Sequence, residues 1–390
     1  MFFTKWGRRC ALPVLLGLAM AGATTARGGD SRVGLLVRTI DQQYFTTPFE
    51  RAAILGGAYM GDLGSAASTI RNPAALAAVC GPDALGYWVA DSIKGEASLT
   101  PTPGDATQRT RAFLSDQGAY VAMPLGGLPI SAGFGGNYFS TGFSGDPEIS
   151  PAQRGTRMSA ALAAPIHGNV NLGYGATWFN DHYATAAEFD MGRQMPHTSR
   201  LSNESHSWRH RLALFAPLGH HIRWGLQGDY GYGAGTTRLD GEPLTGRNAF
   251  ENYALRGGFQ CDVSHRITAA VDVEWSYLDL NMGEVPPDGE EIIPLEAAAD
   301  RIRYAANVYR PMVGLQFRAT PRLTLRTGYR HTFYRFRQSP LLPGSSDYGT
   351  LGSGARYSFW GGRAAVDWNI EYSWIADHSL LNTLTLSCMF

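Results

Sequence analysis

The amino-acid sequence predicts an all-β protein: a transmembrane antiparallel β-barrel of about 14 strands with an N-terminal hatch or plug segment. Three observations support this fold class. Strands of alternating polarity recur along most of the chain, they exceed the usual length of strands in soluble sandwiches, and short turns alternate with long polar loops. We divide the chain into a signal peptide (1–26), a hatch or plug (27–82) and a barrel (83–390).

The signal peptide is predicted from the order of its segments. Lys5, Arg8 and Arg9 form a positive n-region, and the apolar stretch ALPVLLGLAMAGA follows. The small residues AGA and TTA then offer cleavage sites. An uncleaved anchor helix is the alternative, which Pro13 disfavours. Beyond this segment no apolar run approaches the roughly 18 residues that a membrane-spanning helix needs.

The composition suits a barrel and argues against several other classes. Glycine is abundant (47 residues) and only 17% of residues are charged, as expected for many strands joined by turns. Basic and acidic residues number 33 each, so nothing indicates a polyanionic partner such as nucleic acid. No CxxC motif or cluster of His and Cys predicts a metal site, and we expect no cofactor.

One unit repeats through the predicted barrel: a strand, a short turn, a second strand ending in aromatic residues, and a long loop. YVAMPLGGLPISAGFGGNYF and SAALAAPIHGNVNLGYGATWF are two examples. Within 267–277, Trp275 and Tyr277 share the apolar face, while Asp272 and Glu274 share the polar face. The strands run about 9 to 12 residues, which suits a tilted crossing of a bilayer. A periplasmic β-sandwich is the alternative.

The last strand is predicted to close the barrel. Along HSLLNTLTLSCMF, Leu384 and Leu386 share one face with Phe390. In hydrocarbon every backbone N–H and C=O must be bonded within the protein, so the last strand must pair with the first. Phe390 is therefore expected at the lipid-facing end of this strand. It also resembles the C-terminal signal that the barrel-assembly machinery reads in outer-membrane proteins.

The predicted hatch segment does not alternate and is rich in small residues, as in FERAAILGGAYMGDLGSAASTIRNPAALAAV. Asn72 and Pro73 predict the N-cap and first residue of a short helix through AALAAV. A flexible periplasmic leader is one interpretation. The other is a plug, whose small residues allow the backbone to pack inside the barrel.

The stretch LGGAYMGDLGSAASTIRNPAAL, placed before a barrel that ends in phenylalanine, resembles the hatch of the FadL-type outer-membrane transporters. Asn72, Pro73 and Ala74 carry the hatch motif. Ala75 stands where the family has glycine, and Arg71 stands where it usually has an aromatic residue. The resemblance implies passive uptake of hydrophobic compounds, such as long-chain fatty acids or aromatic hydrocarbons, across the bacterial outer membrane.

The implied partners are outer-membrane lipid, a hydrophobic small molecule and the barrel-assembly machinery. An uptake role also predicts an apolar pocket in the lumen above the hatch. The stretch AYMGDLGSA equally resembles barrels that serve type IX secretion, in which a GGMGDAG-like segment precedes Asn-Pro-Ala. A secretion barrel or a structural barrel is therefore the alternative function.

The third predicted strand, PISAGFGGNYF, contains Gly133, Gly135 and Gly136. In the FadL family an inward kink of the third strand opens the barrel wall sideways, and glycines suit such a bend or a loss of ladder hydrogen bonds. The alternative is that barrel strands commonly place glycine beside aromatic residues.

Arg326 and Arg330 share the lumen-facing parity with several acidic residues. The two guanidinium groups suit the carboxylate head group of a fatty acid, and we name them as candidate ligand-binding residues. The alternative is that they pair with acids of the lumen or with the hatch, since mixed charges are ordinary inside barrels.

Hydrolytic activity is the least favoured function. An outer-membrane hydrolase needs a serine activated by histidine with an orienting partner. The stretches NESHS, with Ser207, and DHS, with Ser379, supply these residue types in predicted loops. Adjacent His and Ser on a polar loop are usually only solvated, so we predict no catalytic residue.

Overall fold

The computed structural model describes most of the barrel and the later part of the N-terminal segment. The predicted signal peptide lies outside the described residues, as does the first part of the predicted hatch. Among the described residues, no helix is long and apolar enough to cross a membrane. The described ranges are 58–61, 64–96, 109–144, 152–189, 197–239, 242–243, 245–284, 303–338, 345–373 and 378–390.

The described residues form one antiparallel sheet of 14 long strands plus a two-residue strand, β8, which pairs only with the end of β7. Two short 3₁₀ helices, Ala66–Thr69 and Pro73–Ala78, precede the sheet, and a third, Trp360–Gly362, lies between β13 and β14. The strands are β1 Asp83–Glu96, β2 Arg109–Pro124, β3 Ser131–Ser144, β4 Ala152–His167, β5 Val170–Phe189, β6 His197–Leu218, β7 Ile222–Leu239, β8 Glu242–Pro243, β9 Thr245–Asp262, β10 Ile267–Glu284, β11 Arg303–Arg318, β12 Leu323–Gln338, β13 Ser345–Phe359, β14 Ala364–Ser373 and β15 His378–Met389.

The sheet closes into a barrel, which confirms the predicted fold class. Each long strand pairs with its neighbours along the chain, and β1 pairs with β15 from Asp83 opposite Met389 to Lys94 opposite His378. The backbone N–H of Phe390 donates to the carbonyl of Pro82 at 2.8 Å. The Phe390 side chain is 77% exposed, as expected for a lipid-facing position at the end of the closing strand.

Side chains alternate across the wall as the sequence predicts. In β10 the outward Val273 and Trp275 are 48% and 38% exposed, while the inward Asp272 and Glu274 are 1% and 6% exposed. An apolar outer face and a polar inner face are the arrangement of a barrel that crosses lipid.

The strands are longer than predicted, and this part of the sequence analysis is wrong. They run from 10 residues in β14 to 22 residues in β6. Backbone pairing continues into polar stretches that the pattern assigned to loops, because a hairpin needs only backbone groups to extend its ladder. As a result Ser207 lies within β6 and Ser379 within β15.

The turns at one end of the barrel are short, as predicted. Residues 168–169 join β4 to β5, and residues 219–221 join β6 to β7. Gly168 and Gly219 have φ values of +55° and +74°, a left-handed conformation that glycine adopts without a steric penalty. The hatch helices and Phe390 lie at this same end, which we call the short-turn rim.

Candidate functional site

The described part of the hatch is buried inside the barrel. Ala58, Met60, Ala66, Ala74 and Leu76 are all 0% exposed. The positions they approach on β3, β5 and β7 face inward, so the chain crosses the lumen at this level. The small residues of the segment therefore pack as the plug interpretation expects.

Three inward glycines allow the hatch backbone to approach the barrel wall. A Cβ atom on Gly133 would lie 2.2 Å from Thr69 Oγ1, and one on Gly173 would lie 2.1 Å from the nitrogen of Ala74. A Cβ on Gly225 would lie 2.3 Å from the carbonyl oxygen of Met60. Any side chain at these positions would displace the hatch.

The predicted strand kink in β3 stays a prediction, although the described ladders of this strand are continuous. Strand β3 pairs with β2 and with β4 without a register shift through Gly133, Gly135 and Gly136. Gly133 instead provides room for the hatch, and a Cβ on Gly135 would fall 2.2 Å from the carbonyl oxygen of Ala119. The glycines of this strand therefore accommodate close contacts and do not interrupt the wall.

Two barrel carboxylates hold the hatch backbone on well-separated parts of the ring. Asp83 Oδ2 accepts the N–H of Ala66 at 2.6 Å. Asp272 Oδ2 accepts the N–H groups of Tyr59 and Met60 at 2.8 and 3.1 Å. Asp83 lies on β1 and Asp272 on β10. Around the closed sheet they are separated by β11–β15 in one direction and by β2–β7 and β9 in the other. The hatch is thus fastened at both sides of the lumen.

Asp272 belongs to a chain of alternating charges along the inner wall. Arg256 Nη2 lies 2.9 Å from Asp272 Oδ2, and Arg256 Nη1 lies 3.5 Å from Glu274 Oε2. Arg310 pairs with the other oxygen of Glu274. The guanidinium of Arg256 also lies 3.6 Å from the ring centroid of Tyr59, a cation–π contact that joins the hatch to the wall.

The hatch motif forms the predicted helix but not the predicted cap. Pro73 is the first residue of the 3₁₀ helix, and Asn72 precedes it in an extended conformation without a side-chain cap. The Asn72 amide Nδ2 donates instead to the carbonyl of Met60 at 2.9 Å. This bond ties the helix to the part of the hatch that Asp272 holds. Ala74 lies against Gly173, as described above.

On the β1–β4 side, the hatch packs by apolar contact. Ile70 and Leu76 of the hatch share a buried cluster with Val89 and Tyr120 of the wall. Tyr120 stacks on Tyr87, with ring centroids 6.2 Å apart. The hatch therefore has a mainly apolar side against β1–β4, where Asp83 adds one carboxylate contact, and an ionic side against β9–β10.

Arg326 and Arg330 lie in the lumen wall, paired with protein carboxylates. Arg326 Nη1 lies 2.6 Å from Asp367 Oδ1, and Arg330 Nη2 lies 3.4 Å from Glu371 Oε2. All four side chains are buried. This is the pairing that the sequence analysis gave as the alternative. Their role as ligand-binding residues stays a prediction, and a ligand carboxylate would have to displace Asp367 or Glu371.

Farther from the short-turn rim, aromatic and cationic side chains alternate across four neighbouring strands. Arg157 of β4 lies 4.3 Å from the ring centroid of Phe139 of β3 and 5.1 Å from that of Phe179 of β5. Arg209 of β6 lies 5.2 Å from the same Phe179 ring. All four side chains are at most 4% exposed. They form a buried part of the inner wall above the hatch.

One cavity in the lumen is small, and most of the side chains that line it are charged or polar. Its volume is about 20 Å³, which holds little more than a water molecule. This cavity is too small to be the apolar pocket that an uptake role predicts, and that pocket stays a prediction. Among the described residues there is also no group of His, Cys, Asp and Glu suited to a metal ion. The lining includes Tyr59, Arg209, Asp229, Arg256, Glu274 and Ser276.

The serine and histidine residues of the NESHS stretch do not form a catalytic pair. Ser207 is buried on the inner face of β6. His206 faces outward, because successive strand residues point to opposite sides, and its ring stacks on Trp178. Ser379 lies in the closing strand.

Sequence reasoning identified Asp272 as inward-facing but missed Tyr59 and Arg256, which join it to the hatch. The alternation of side chains in β9 indicates that Arg256 faces inward. The role of Tyr59 had no signal of its own, since only the folded chain brings residue 59 to residue 272.

Comparison with solved structures identifies the architecture. The Pseudomonas putida toluene transporter TodX matches with a TM-score of 0.59 at 14% identity, covering 87% of this chain and 97% of that chain. A Pseudomonas aeruginosa FadL homologue matches with a TM-score of 0.61 at 13% identity, covering 86% and 97%. The chain has the fold of the FadL-type channels.

The Ralstonia pickettii toluene transporter TbuX also matches this FadL-type fold, with a TM-score of 0.56 at 12% identity and coverage of 88% of this chain and 98% of that chain. A scan against protein-family models and a search of the curated proteins found no match. The likeness therefore concerns the barrel and its topology.

Proposed function

We propose that this protein is an outer-membrane channel for the passive uptake of hydrophobic compounds, such as long-chain fatty acids or aromatic hydrocarbons. The observation that carries the proposal is a hatch, fastened inside a closed barrel, in a fold shared with proteins described as toluene transporters. An apolar outer face suits a lipid bilayer, and an obstructed lumen suits a channel that is closed at rest.

The route proposed here runs past the hatch. The ladders on both sides of β3 are continuous, so a sideways exit through that strand requires the wall to open. Hydrogen bonds and charge hold the ionic side of the hatch, at Tyr59 and Asp272. Water can replace these contacts when the hatch moves. The apolar side, at Ile70 and Leu76, is the natural pivot, because separating it exposes apolar surface to water.

Protein secretion and a structural role are less favoured as functions. The described part of the hatch lies across the lumen, and one cavity beside it measures about 20 Å³. A folded or extended polypeptide would need the whole hatch to leave, whereas a small molecule needs only a local displacement. No described arrangement favours hydrolysis, and the solved structures with this fold are described as channels and transporters.

The proposal extends to processing and assembly of the chain. Residues 1–26 act as a cleaved export signal, residues 27–82 as the hatch and residues 83–390 as the barrel. Phe390 takes part in recognition by the barrel-assembly machinery, an expectation that rests on its exposed position at the end of the closing strand.

The test of uptake is transport into liposomes that contain the purified protein and carry lipopolysaccharide in the outer leaflet, which apolar solutes cross slowly. We expect radiolabelled toluene or oleate to enter faster than into protein-free liposomes, and a Tyr59→Ala variant to raise the rate by loosening the hatch. Native mass spectrometry of the purified barrel should show a bound apolar molecule. Equal entry with and without the protein, or a bound protein in place of a small molecule, would contradict the proposal.

A further inference from the structure

The short-turn rim carries a regular series of basic residues. In four turns the residue immediately before the next strand is basic: His221 before β7, Arg266 before β10, Arg322 before β12 and Arg363 before β14. All four side chains are exposed. We call these four residues the basic arc.

The backbone ladder holds the basic arc at one level of the barrel. The carbonyl of each arc residue accepts an N–H from the next hairpin, at 2.7 Å for His221, 2.8 Å for Arg266, 2.8 Å for Arg322 and 2.7 Å for Arg363. Successive arc residues are two strands apart, a separation of about 10 Å. The arc therefore covers the half of the rim that runs from β7 to β14.

The charge of this rim is strongly positive. The described short turns contain no acidic residue, and half-buried Asp262, the last residue of β9, pairs with Arg223 at 3.1 Å. Within the described part of the chain, Arg266, Arg322 and Arg363 make no side-chain ion pair. Arg318, the last residue of β11, adds to the excess of positive charge at the same rim, whereas Arg356 already pairs with Asp367 at 3.4 Å.

Large apolar side chains on the lipid-facing surface lie next to these cations. Ile267, which follows Arg266, is 39% exposed, and Phe317 and Tyr357 are 44% and 49% exposed. Trp360, in the turn that ends at Arg363, is 73% exposed. Guanidinium groups directly beyond an apolar band with aromatic residues lie at the height of lipid head groups.

We propose that the basic arc binds the head-group phosphates of anionic phospholipid in the leaflet next to the short turns. Guanidinium groups donate paired hydrogen bonds to phosphate oxygens, and basic side chains at an anionic surface gain energy without deep burial. The turn between β2 and β3, LGGLPI, has no charged residue, so the lipid gathers on the β7–β14 half. This inference concerns the outer surface and does not depend on what crosses the lumen.

The test measures lipid retained by the full-length protein in native mass spectrometry after purification from micelles containing equal phosphatidylglycerol and phosphatidylcholine. The wild-type protein should retain phosphatidylglycerol preferentially. The double variant Arg266→Gln/Arg322→Gln should bind it about 25-fold more weakly, since each basic side chain contributes about a five-fold effect. The control, Arg154→Gln/Arg335→Gln, removes the same charge from exposed positions far from this rim and should bind as the wild type does.

Two further measurements distinguish lipid binding from misfolding of the variant and from binding of a free anion. Arg266→Lys/Arg322→Lys keeps the charge and should restore most of the binding, which shows that loss in the Gln variant is not misfolding. Displacement of phosphatidylglycerol by inorganic phosphate at millimolar concentration would overturn the proposal in favour of a free-anion site. Equal retention of the lipid by the wild type and the Arg266→Gln/Arg322→Gln variant would also overturn the proposal. An acidic protein would then be the alternative partner of the basic arc.

Discussion

At the scale of single residues, Asp272 connects the hatch to the wall. Its carboxylate accepts two backbone N–H groups of the hatch and pairs with Arg256, and the side chain is 1% exposed. Burial removes the hydration of this carboxylate, and the hydrogen bonds and the charge of Arg256 offset part of that cost. Arg256 also contacts Glu274, which ties Asp272 to the next inward carboxylate of β10.

Asp272→Asn should loosen the hatch and destabilise the barrel by about 3 kcal/mol, since it leaves Arg256 buried with less compensating charge. The measurements are urea unfolding in lipid vesicles and single-channel conductance in planar bilayers, where the variant should conduct more. The control is Asp262→Asn, at a side chain 29% exposed, which should cost at most about 1 kcal/mol. Unchanged conductance of Asp272→Asn would show that this carboxylate does not hold the hatch.

Arg326 allows a structural role to be separated from a ligand role. Its pair with Asp367 is buried, so Arg326→Gln should lower the free energy of unfolding by about 3 kcal/mol. If the residue is structural, the rate of oleate uptake per folded molecule will not change. A lower uptake of oleate, with toluene uptake unchanged, would instead support the predicted carboxylate site.

At the scale of elements, the hatch and the wall are fitted to each other through glycine. Strand β7 offers a matched pair of positions. A Cβ on Gly225 would lie 2.3 Å from the carbonyl oxygen of Met60, whereas a Cβ on Gly228 would meet nothing within 4 Å. The first position is occupied by hatch backbone and the second is open.

Gly225→Ala should therefore displace the hatch, at a cost of about 1 to 3 kcal/mol, and Gly228→Ala should not. Limited proteolysis of the folded barrel measures the displacement as faster cleavage of the hatch. Both variants should keep the same barrel on a gel. Equal cleavage rates would mean that residues 58–61 do not pack against β7.

The elements also show where sequence patterns reach their limit. The alternation along β10 gave the correct faces, because one side of the strand meets lipid. The lengths were underestimated, as in β6, since backbone pairing extends where side-chain polarity no longer alternates. The sequence correctly predicted that Asn72 precedes a helix. Its side-chain amide, however, donates to the carbonyl of Met60 and does not cap that helix.

At the scale of the whole molecule, closure of the sheet gives the first and last strands a hydrogen-bonding partner on both sides. The pairing of β1 with β15 removes the two free edges, so every long strand has two partners. Such a cylinder resists detergent because no edge is available to start unfolding.

The purified protein should accordingly need detergent or lipid to stay in solution. On a gel the unboiled protein should migrate as a compact species and the boiled protein as an unfolded chain. Identical migration of both samples, or solubility in buffer without detergent, would contradict the closed barrel.

The sequence by itself determined the class of fold, the strand number and the pairing of the ends. Each follows from a local rule: alternation marks a strand with one face in lipid, and unsatisfied backbone groups forbid an open sheet there. Only the tertiary structure decided which inward side chains meet. Asp272 and Tyr59 are 213 residues apart in sequence, and Arg326 and Asp367 are 41 apart. Such partners depend on the register of every strand between them and on the path of the hatch, which no local pattern encodes.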